Sequence, residues 1–183
     1  RPSVQSFAGA SQVVTLPTSL LHSLKALAQR EQVTLFMLLL ASFQTLLHRY
    51  SGQNDIRVGV PIANRNRVEI ERLIGFFVNT QVLKAEVDGQ GTFSELLGQV
   101  KQTALQAQAH QDLPFEQLVQ ALQPERSLSH SPLFQVMYNH QSEGKRSIDV
   151  DLPGLRVEGL AWENQTAQFD LTLETYESRD SLS

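Results

Sequence analysis

Hydrophobic residues in the first third of the chain recur at helical spacing. From Leu20 to Ala28 they return every three or four positions, which predicts an amphipathic helix that Thr18 or Ser19 caps. A second helix is predicted from Thr34, is apolar nearly all round, and ends at Gly52. Its composition is typical of a helix at the centre of a core.

Two more helices are predicted further along. Thr92 and Glu95 have the spacing of a capping box, and an apolar helical face follows them. A short helix is expected after Asp112, with Pro114 in its first turn. Asp112 is the expected cap of that helix, and His110 the solvated last-turn residue of the helix before it.

Alternation of apolar and polar residues predicts strands elsewhere. A polar linker, residues 1–16, is expected to end in a short edge strand. The other predicted strands are residues 55–62, 73–87, 133–140, 148–152, 155–162 and 169–176. Helices followed by strands in this way predict a mixed α/β (α+β) fold, a sheet packed by helices.

Composition restricts the classes of partner. The 183 residues are 41% hydrophobic, enough for one core, and carry a formal charge of -4 without a cluster of basic residues. We therefore expect no nucleic-acid partner. The longest apolar run, residues 35–41, is too short for a membrane span. No cysteine is present, which agrees with a cytoplasmic location and leaves no thiolate metal site.

Self-contained catalytic motifs are absent from the sequence. It has no glycine-rich phosphate loop, no nucleophile elbow and no histidine pair with zinc-site spacing. Its histidines, none adjacent to another, are His22, His48, His110, His130 and His140. A hydrolase interpretation of Ser129-His130-Ser131 is rejected because neighbours on a loop rarely adopt triad geometry.

Three polar stretches stand out. "IGFFVNTQ" places Asn79 after an apolar entrance, where its amide either bridges a buried interface or caps a strand end. "AHQDLPFEQLV" packs hydrogen-bonding side chains into a corner between two helices, and "RSLSHSPLFQVMYN" is a polar loop that leads into a strand.

These three stretches, in this order and spacing, resemble three core motifs of nonribosomal peptide synthetase condensation domains. "YSGQNDIRVGVPIANR" and "FDLTLE" extend the resemblance from about residue 11 to 177. It implies a chloramphenicol acetyltransferase-like fold, in which two α/β lobes form a V around a tunnel. Residues 17–183 would be the C-terminal lobe, without its last strand and helix, and residues 1–16 the linker between the lobes.

The resemblance also implies the chemistry. Carrier proteins present a donor thioester and an acceptor amine on phosphopantetheine, and the amine attacks the thioester to form a peptide bond. A His-His-x-x-x-Asp-Gly motif of the first lobe serves this attack, and it does not occur here. We therefore expect the chain alone to be inactive and to bind no cofactor directly. The implied partners are the N-terminal lobe, donor and acceptor peptidyl carrier proteins, and an adjacent adenylation domain.

Roles pass to residues that match the motifs. Asn79 would face the tunnel and position the reacting groups or stabilise the oxyanion. Arg65 would pair with the aspartate of the missing histidine motif, and would otherwise be an exposed cation. Structural roles at the tunnel are implied for His110, Gln111, Asp112 and Arg126.

The final strand carries two rows of side chains that face opposite ways. Asp170 and Thr172 belong to one row and are candidates for lining the acceptor side of the tunnel. The sequence alone does not decide which row lies there.

Several related functions compete with this interpretation. The Asn-Thr ending of the first motif argues against an epimerization domain, whereas a dual condensation and epimerization domain remains open. A lobe that only docks a carrier protein is a non-catalytic alternative. An acyltransferase that uses acyl coenzyme A ranks last, because it would need its own catalytic histidine and not the "HQDLPFE" corner.

Overall fold

The computed structural model describes residues 3–125, 127–142, 154–155, 165–178 and 181–183. Helices and strands are mixed along the chain, which confirms the expected α/β class. In chain order the elements are α1 (Thr18–Arg30), α2 (Leu35–Ser51), β1 (Asp55–Ile62), α3 (Val68–Glu71), β2 (Asn79–Glu86), α4 (Phe93–Ala109), α5 (Phe115–Leu122), β3 (Val136–Gln141) and β4 (Leu171–Tyr176).

The strands form one mixed sheet in the order β2-β1-β3-β4. β1 and β2 are antiparallel over their whole length, from Asp55 opposite Glu86 to Ile62 opposite Asn79. β3 runs parallel to β1, and β4 parallel to β3. The end of β1 and the start of β2 therefore lie side by side at one end of the sheet.

The core lies between the sheet and the helices α2 and α4. The alternate residues Ile56, Val58 and Val60 of β1 are buried there, as their pattern predicts. Tyr138 of β3 is fully buried, and its ring stacks on Phe36 of α2 with centroids 5.4 Å apart. Burial raises the pKa of Tyr138 to about 12, because the phenolate would lose its hydration.

Caps written in the sequence form as predicted for two helices. The Thr34 side chain accepts a hydrogen bond from the Met37 amide at the start of α2, and Gly52 ends that helix with a φ of 68°. Thr92 and Glu95 form the capping box of α4.

Other predictions about the helices and the N-terminal linker are wrong. The N-cap of α1 is Pro17, which has no side-chain acceptor, and Thr18 already lies within the helix. The edge strand expected at the end of the linker is reduced to a single antiparallel bridge between Leu16 and Leu182. The short helix α3 carried no recognisable signal, because its four residues cannot show a helical period.

Two predicted strands are shorter than expected. β2 begins only at Asn79, since residues 73–78 form no strand. β3 begins at Val136, because Leu133 has a φ of 66°, in the left-handed region that breaks a strand. The predicted strands at 148–152 and 155–162 lie outside the described residues, apart from Leu155.

A polar cluster fastens α1 to the ends of β3 and β4. Lys25 of α1 lies 2.7 Å from the Glu177 carboxylate, and that carboxylate lies 3.7 Å from Nε2 of His140. The Nδ1 atom of His140 lies 2.8 Å from the Thr175 hydroxyl. Burial lowers the pKa of His140, and the nearby Glu177 only partly opposes that shift.

His140 predicts a loss of stability in mild acid. Its pKa in the folded protein lies below the ordinary value of 6.5, so as pH falls the unfolded chain takes up this proton first. The free energy of unfolding should therefore fall with pH below about 6.5 and level off beneath the lowered pKa. Urea unfolding between pH 7.5 and 5 should give a flatter profile for His140→Gln than for wild type. The exposed His22→Gln serves as control, and equal slopes for wild type and His140→Gln would contradict the assignment.

Close packing against a β1 glycine yields a second prediction. A methyl group at Gly59 would lie within 2.7 Å of three ring carbons of the buried Phe134, whereas one at Gly98 in α4 meets nothing within 4 Å. We expect Gly59→Ala to lower the free energy of unfolding by about 1–3 kcal/mol through overpacking. Gly98→Ala should raise it by up to about 1 kcal/mol through helix propensity. Urea unfolding of both variants checks the pair, and equal effects would contradict the packing.

Candidate functional site

The candidate site is built where β1 ends and β2 begins. Asn79, the first residue of β2, lies opposite Ile62, the last residue of β1. The loop 63–78 joins the two strands, and the corner 110–114 joins α4 to α5. All three segments meet at this end of the sheet, although about 30 residues separate Asn79 from the corner along the chain.

The Asn79 carboxamide holds the corner. Its Nδ2 donates to the carbonyl of Gln111 at 3.1 Å and to that of Leu113 at 2.8 Å. Its Oδ1 accepts from the amides of Phe115 at 3.1 Å and Thr80 at 2.9 Å. Both N–H donors and both lone pairs are therefore in use, which is the full capacity of a carboxamide.

Asn79 also acts as the missing cap of α5. The N-cap of this helix is Pro114, whose ring offers no acceptor, so the first helical amide, at Phe115, bonds to Asn79 instead. The expectation that Asp112 caps the helix is wrong. Asp112 lies too early in the chain, and its Oδ1 accepts from Nδ2 of Asn66 at 2.7 Å.

The other corner residues contribute mainly through their backbone. His110 is the C-cap of α4, its side chain is exposed, and its carbonyl accepts from the amide of Leu113. Gln111 is half-buried and provides the carbonyl that Asn79 binds. The corner is thus held by atoms that any side chain would supply, together with one specific carboxylate at Asp112.

Arg65 organises the loop 63–78 from within. Its Nη1 donates to the carbonyls of Ile70 at 2.6 Å and Leu73 at 2.8 Å, and its Nη2 donates to that of Gly75 at 3.2 Å. The guanidinium also lies over the Phe77 ring, 4.3 Å from its centroid. Arg65 is half-buried, so the expectation of an exposed cation is wrong: neighbouring carbonyls replace the water.

The charge of Arg65 is not neutralised locally. Among the described residues, no acidic side chain lies within 4 Å of its guanidinium. Carbonyl dipoles and a π face stabilise a cation without cancelling its charge. In the same part of the chain the Nε–H donates to no acceptor, so a donor remains for a further partner.

Apolar side chains of the loop 63–78 are exposed. The first motif was expected to enter a strand, yet Ile74 and Phe76 show relative exposures of 104% and 89%. Arg65 draws the backbone carbonyls of this segment towards itself, which removes them from any strand ladder. Sequence reasoning missed two residues here, Asn66 and Phe77, and no local pattern marks either as a partner.

The third motif reaches the site through an aromatic contact. The Phe134 ring lies 5.6 Å from the Phe115 ring, which begins α5, and 5.3 Å from the Phe169 ring. Within the motif, Ser127 and Ser129 share a hydrogen bond of 2.7 Å. Arg126, expected to be structural, lies outside the described residues.

Asp170 and Thr172 lie apart from Asn79. Both are exposed, at the start of the edge strand β4 and just before it. By the strand pairings, Thr172 is level with Met137, Gly59 and Val82, three strand positions from β2. That separation is about 14 Å at the usual strand spacing. These candidates therefore belong to a different part of the sheet.

Metal and membrane features were also tested on the described residues. No group of three or more histidine, aspartate or glutamate side chains lies close enough there to hold a metal ion. In that same part of the chain no helix is by itself long and apolar enough to cross a membrane. The helices α1 and α2 reach that limit only as a pair, and they meet at a bend of 103°.

Comparison with known proteins gives a consistent result. The family profile described as "Condensation domain" matches residues 1–183. One of the linear gramicidin synthases of Brevibacillus parabrevis is 54% identical over 182 residues, which are 97% of this chain and 2% of that protein. The chain thus spans only a few per cent of the length of the curated relatives that it matches.

Solved structures agree with the sequence relatives. A four-domain nonribosomal peptide synthetase bound to AMP and glycine superposes with a TM-score of 0.84 at 29% identity, covering all of this chain and 15% of that one. The X-domain from teicoplanin biosynthesis, solved in complex with OxyB, superposes with a TM-score of 0.86 at 26% identity, covering all of this chain and 40% of that one. The chloramphenicol acetyltransferase-like fold expected from the motifs is confirmed.

The Asn79 geometry predicts a strong effect of a nearly isosteric change. Asn79→Asp replaces two N–H donors by an acceptor that faces the carbonyls of Gln111 and Leu113. We expect the free energy of unfolding to fall by about 2–3 kcal/mol at neutral pH, because donors are lost and a charge faces two dipoles. Urea unfolding checks this. Asn54→Asp, at an exposed asparagine before β1, should change stability by less than about 0.5 kcal/mol. Equal effects of the two substitutions would contradict the role of Asn79.

Proposed function

The chain belongs to the condensation-domain family, and from that premise we propose that it is the C-terminal lobe of a domain that forms peptide bonds. Residues 17–183 form the lobe, and residues 1–16 lead into it from an N-terminal lobe. The domain joins an aminoacyl or peptidyl thioester donor to an aminoacyl acceptor in nonribosomal peptide synthesis. Both substrates arrive on the phosphopantetheine of peptidyl carrier proteins, so the lobe needs no cofactor of its own.

The observation that carries this proposal is the convergence of the motifs. Arg65, Asn79 and the corner 110–114 come from three distant parts of the sequence and meet within hydrogen-bond distances. They belong to a chain that matches a linear gramicidin synthase over almost its whole length. A purely structural corner would not need a half-buried cation beside it.

The proposal divides the chemistry between two lobes. Attack on the thioester requires a group that orients the amine or takes its proton, and imidazole suits that task near neutral pH. The sequence contains no pair of adjacent histidines. We assign the His-His-x-x-x-Asp-Gly motif to the N-terminal lobe and expect this chain alone to be inactive.

Arg65 is proposed to hold the two lobes in register. Its charge has no acidic partner among the described residues, and Nε–H and one Nη2–H are left over by the carbonyl contacts. A carboxylate forms a strong paired contact with such donors. The aspartate of the histidine motif is the partner that the proposal assigns, and it would neutralise the cation.

Asn79 is proposed to support the reaction by position. Its two N–H groups already donate to the carbonyls of Gln111 and Leu113, so donation to an oxyanion would require one of those bonds to open. In the closed arrangement it instead fixes the start of α5 beside the tunnel. His110, Gln111 and Asp112 form that corner, and Arg126 belongs to the segment that supports it.

Further parts of the proposal concern substrates and partners. Asp170 and Thr172 are exposed on β4 and are assigned to the acceptor side of the tunnel. Donor and acceptor carrier proteins and an adenylation domain are the proposed neighbours. The absence of cysteine favours the cytoplasm as the location.

A docking function is the second candidate, and one comparison favours it. The X-domain that resembles this chain was solved in complex with OxyB, so a relative of this fold binds another protein. A lobe of the same shape would serve as a docking module if the domain as a whole formed no peptide bond. An activity assay separates the two functions.

We expect the intact parent domain to join donor-loaded and acceptor-loaded carrier proteins, with the dipeptide product measured by mass spectrometry. The isolated 183-residue chain should form none. Arg65→Ala should lower the rate by on the order of 100-fold, because the two lobes lose their register. Arg65→Lys should recover little, since an ammonium cannot reproduce the fork of a guanidinium.

The matched control is Arg67→Ala, an exposed arginine of the same loop, which should keep the wild-type rate. Thermal unfolding of each variant separates lost activity from lost folding. Asn79→Ala is included with the same folding control and should be slower. An inactive parent domain that still binds a carrier protein would support the docking function instead. A D-configured donor residue in the product from an L-configured donor would indicate a dual condensation and epimerization domain.

A further inference from the structure

The loop 63–78 is attached to the rest of the structure at few points. Its two ends are held by the pairing of Ile62 with Asn79, and Arg65 organises its interior. Among the described residues, one hydrogen bond joins this loop to another element, from Nδ2 of Asn66 to Oδ1 of Asp112 at 2.7 Å. That bond links the loop directly to the corner 110–114.

Burial contributes little to fixing the loop. Val68, Ile74 and Phe76 show relative exposures of 82%, 104% and 89%, so they pack against almost nothing in this structure. The bond between Asn66 and Asp112 has a carboxylate acceptor and is short, which makes it stronger than a bond between neutral groups. The position of the loop relative to the corner therefore depends largely on this one contact.

We propose that Asn66 is a positioning residue that sets the place of Arg65 through its bond to Asp112, an inference that rests on the proposed function. Asn66 follows Arg65 directly, so holding the Asn66 side chain fixes the backbone from which the guanidinium extends. Asp112 shares its corner with the carbonyls that Asn79 binds. The corner thereby keeps Arg65 and Asn79 at a set separation. Asn66 itself need touch neither substrate nor the N-terminal lobe.

The chemistry of this bond allows a sharp test. Asn66→Asp places two carboxylates against each other, whereas the double change Asn66→Asp with Asp112→Asn restores an amide-to-carboxylate bond with its direction reversed. Both residues are exposed, so the single substitutions should leave the protein folded. The exposed Asn54→Ala, at the opposite end of β1, is the matched control.

The experiment uses the intact parent domain and two readouts. The condensation rate should fall on the order of tenfold in Asn66→Ala and in Asn66→Asp, with kcat affected more than KM, because a small displacement of Arg65 weakens the catalytic arrangement. The double exchange should recover most of the rate, and Asn54→Ala should match wild type. In an Arg65→Ala background, Asn66→Ala should cause no further loss, since it acts through Arg65. By hydrogen exchange, amides of residues 65–75 should exchange faster in Asn66→Ala, with β1 and β2 unchanged.

The outcomes separate this inference from the proposed function. An active wild type with an equally active Asn66→Ala, or an additive loss in the Arg65→Ala background, overturns the positioning role. A double exchange that fails to recover the rate overturns the role of Asp112. If the wild-type domain itself forms no peptide bond, the proposed function fails. The hydrogen-exchange comparison still decides whether Asn66 fixes the loop, since unchanged exchange overturns the inference and faster exchange upholds it.

Discussion

The Asn79 carboxamide joins a strand to a helix that has no cap of its own. Pro114 brings a suitable φ to the start of α5 but no side-chain acceptor, and Asn79 supplies that acceptor from the neighbouring strand. The same carboxamide accepts the Thr80 amide and binds two carbonyls of the corner. The orientation of α5, the path of the corner and the start of β2 therefore depend on one side chain. No other common side chain offers two donors and two acceptors in this planar arrangement.

The site has two kinds of stability. Behind it lies the packed layer of α2 and α4 on the sheet, with Tyr138 fully buried. In front of it lies the loop 63–78, whose apolar side chains are exposed and whose shape comes from Arg65 binding backbone carbonyls. A rigid core below and a weakly attached loop above suit a surface that completes itself against another lobe. The half-buried charge of Arg65 marks where that contact is proposed.

The fold was largely readable from the sequence. Thr34, Gly52 and the pair Thr92 and Glu95 act on their own helix ends, so their signals are local and the structure follows them. Strict alternation in β1 was equally reliable, because one face of that strand is buried. The Val13 and Val14 segment failed since both side chains remain exposed, and among the described residues no neighbouring strand pairs with them. The expected strand entrance at Phe76 failed because Arg65 claims the carbonyls that a strand would need.

The sequence by itself determined the helices, most strands, the family and the three stretches that form the site. Tertiary structure alone decided which atoms meet there. Only it could assign Asp112 to Asn66 rather than to a helix cap, and give α5 its cap from Asn79. The reason is physical: capping and alternation act between residues close in sequence, whereas these bonds span 46 and 36 residues. They exist only because the antiparallel pairing of β1 and β2 brings the ends of both strands to the same corner.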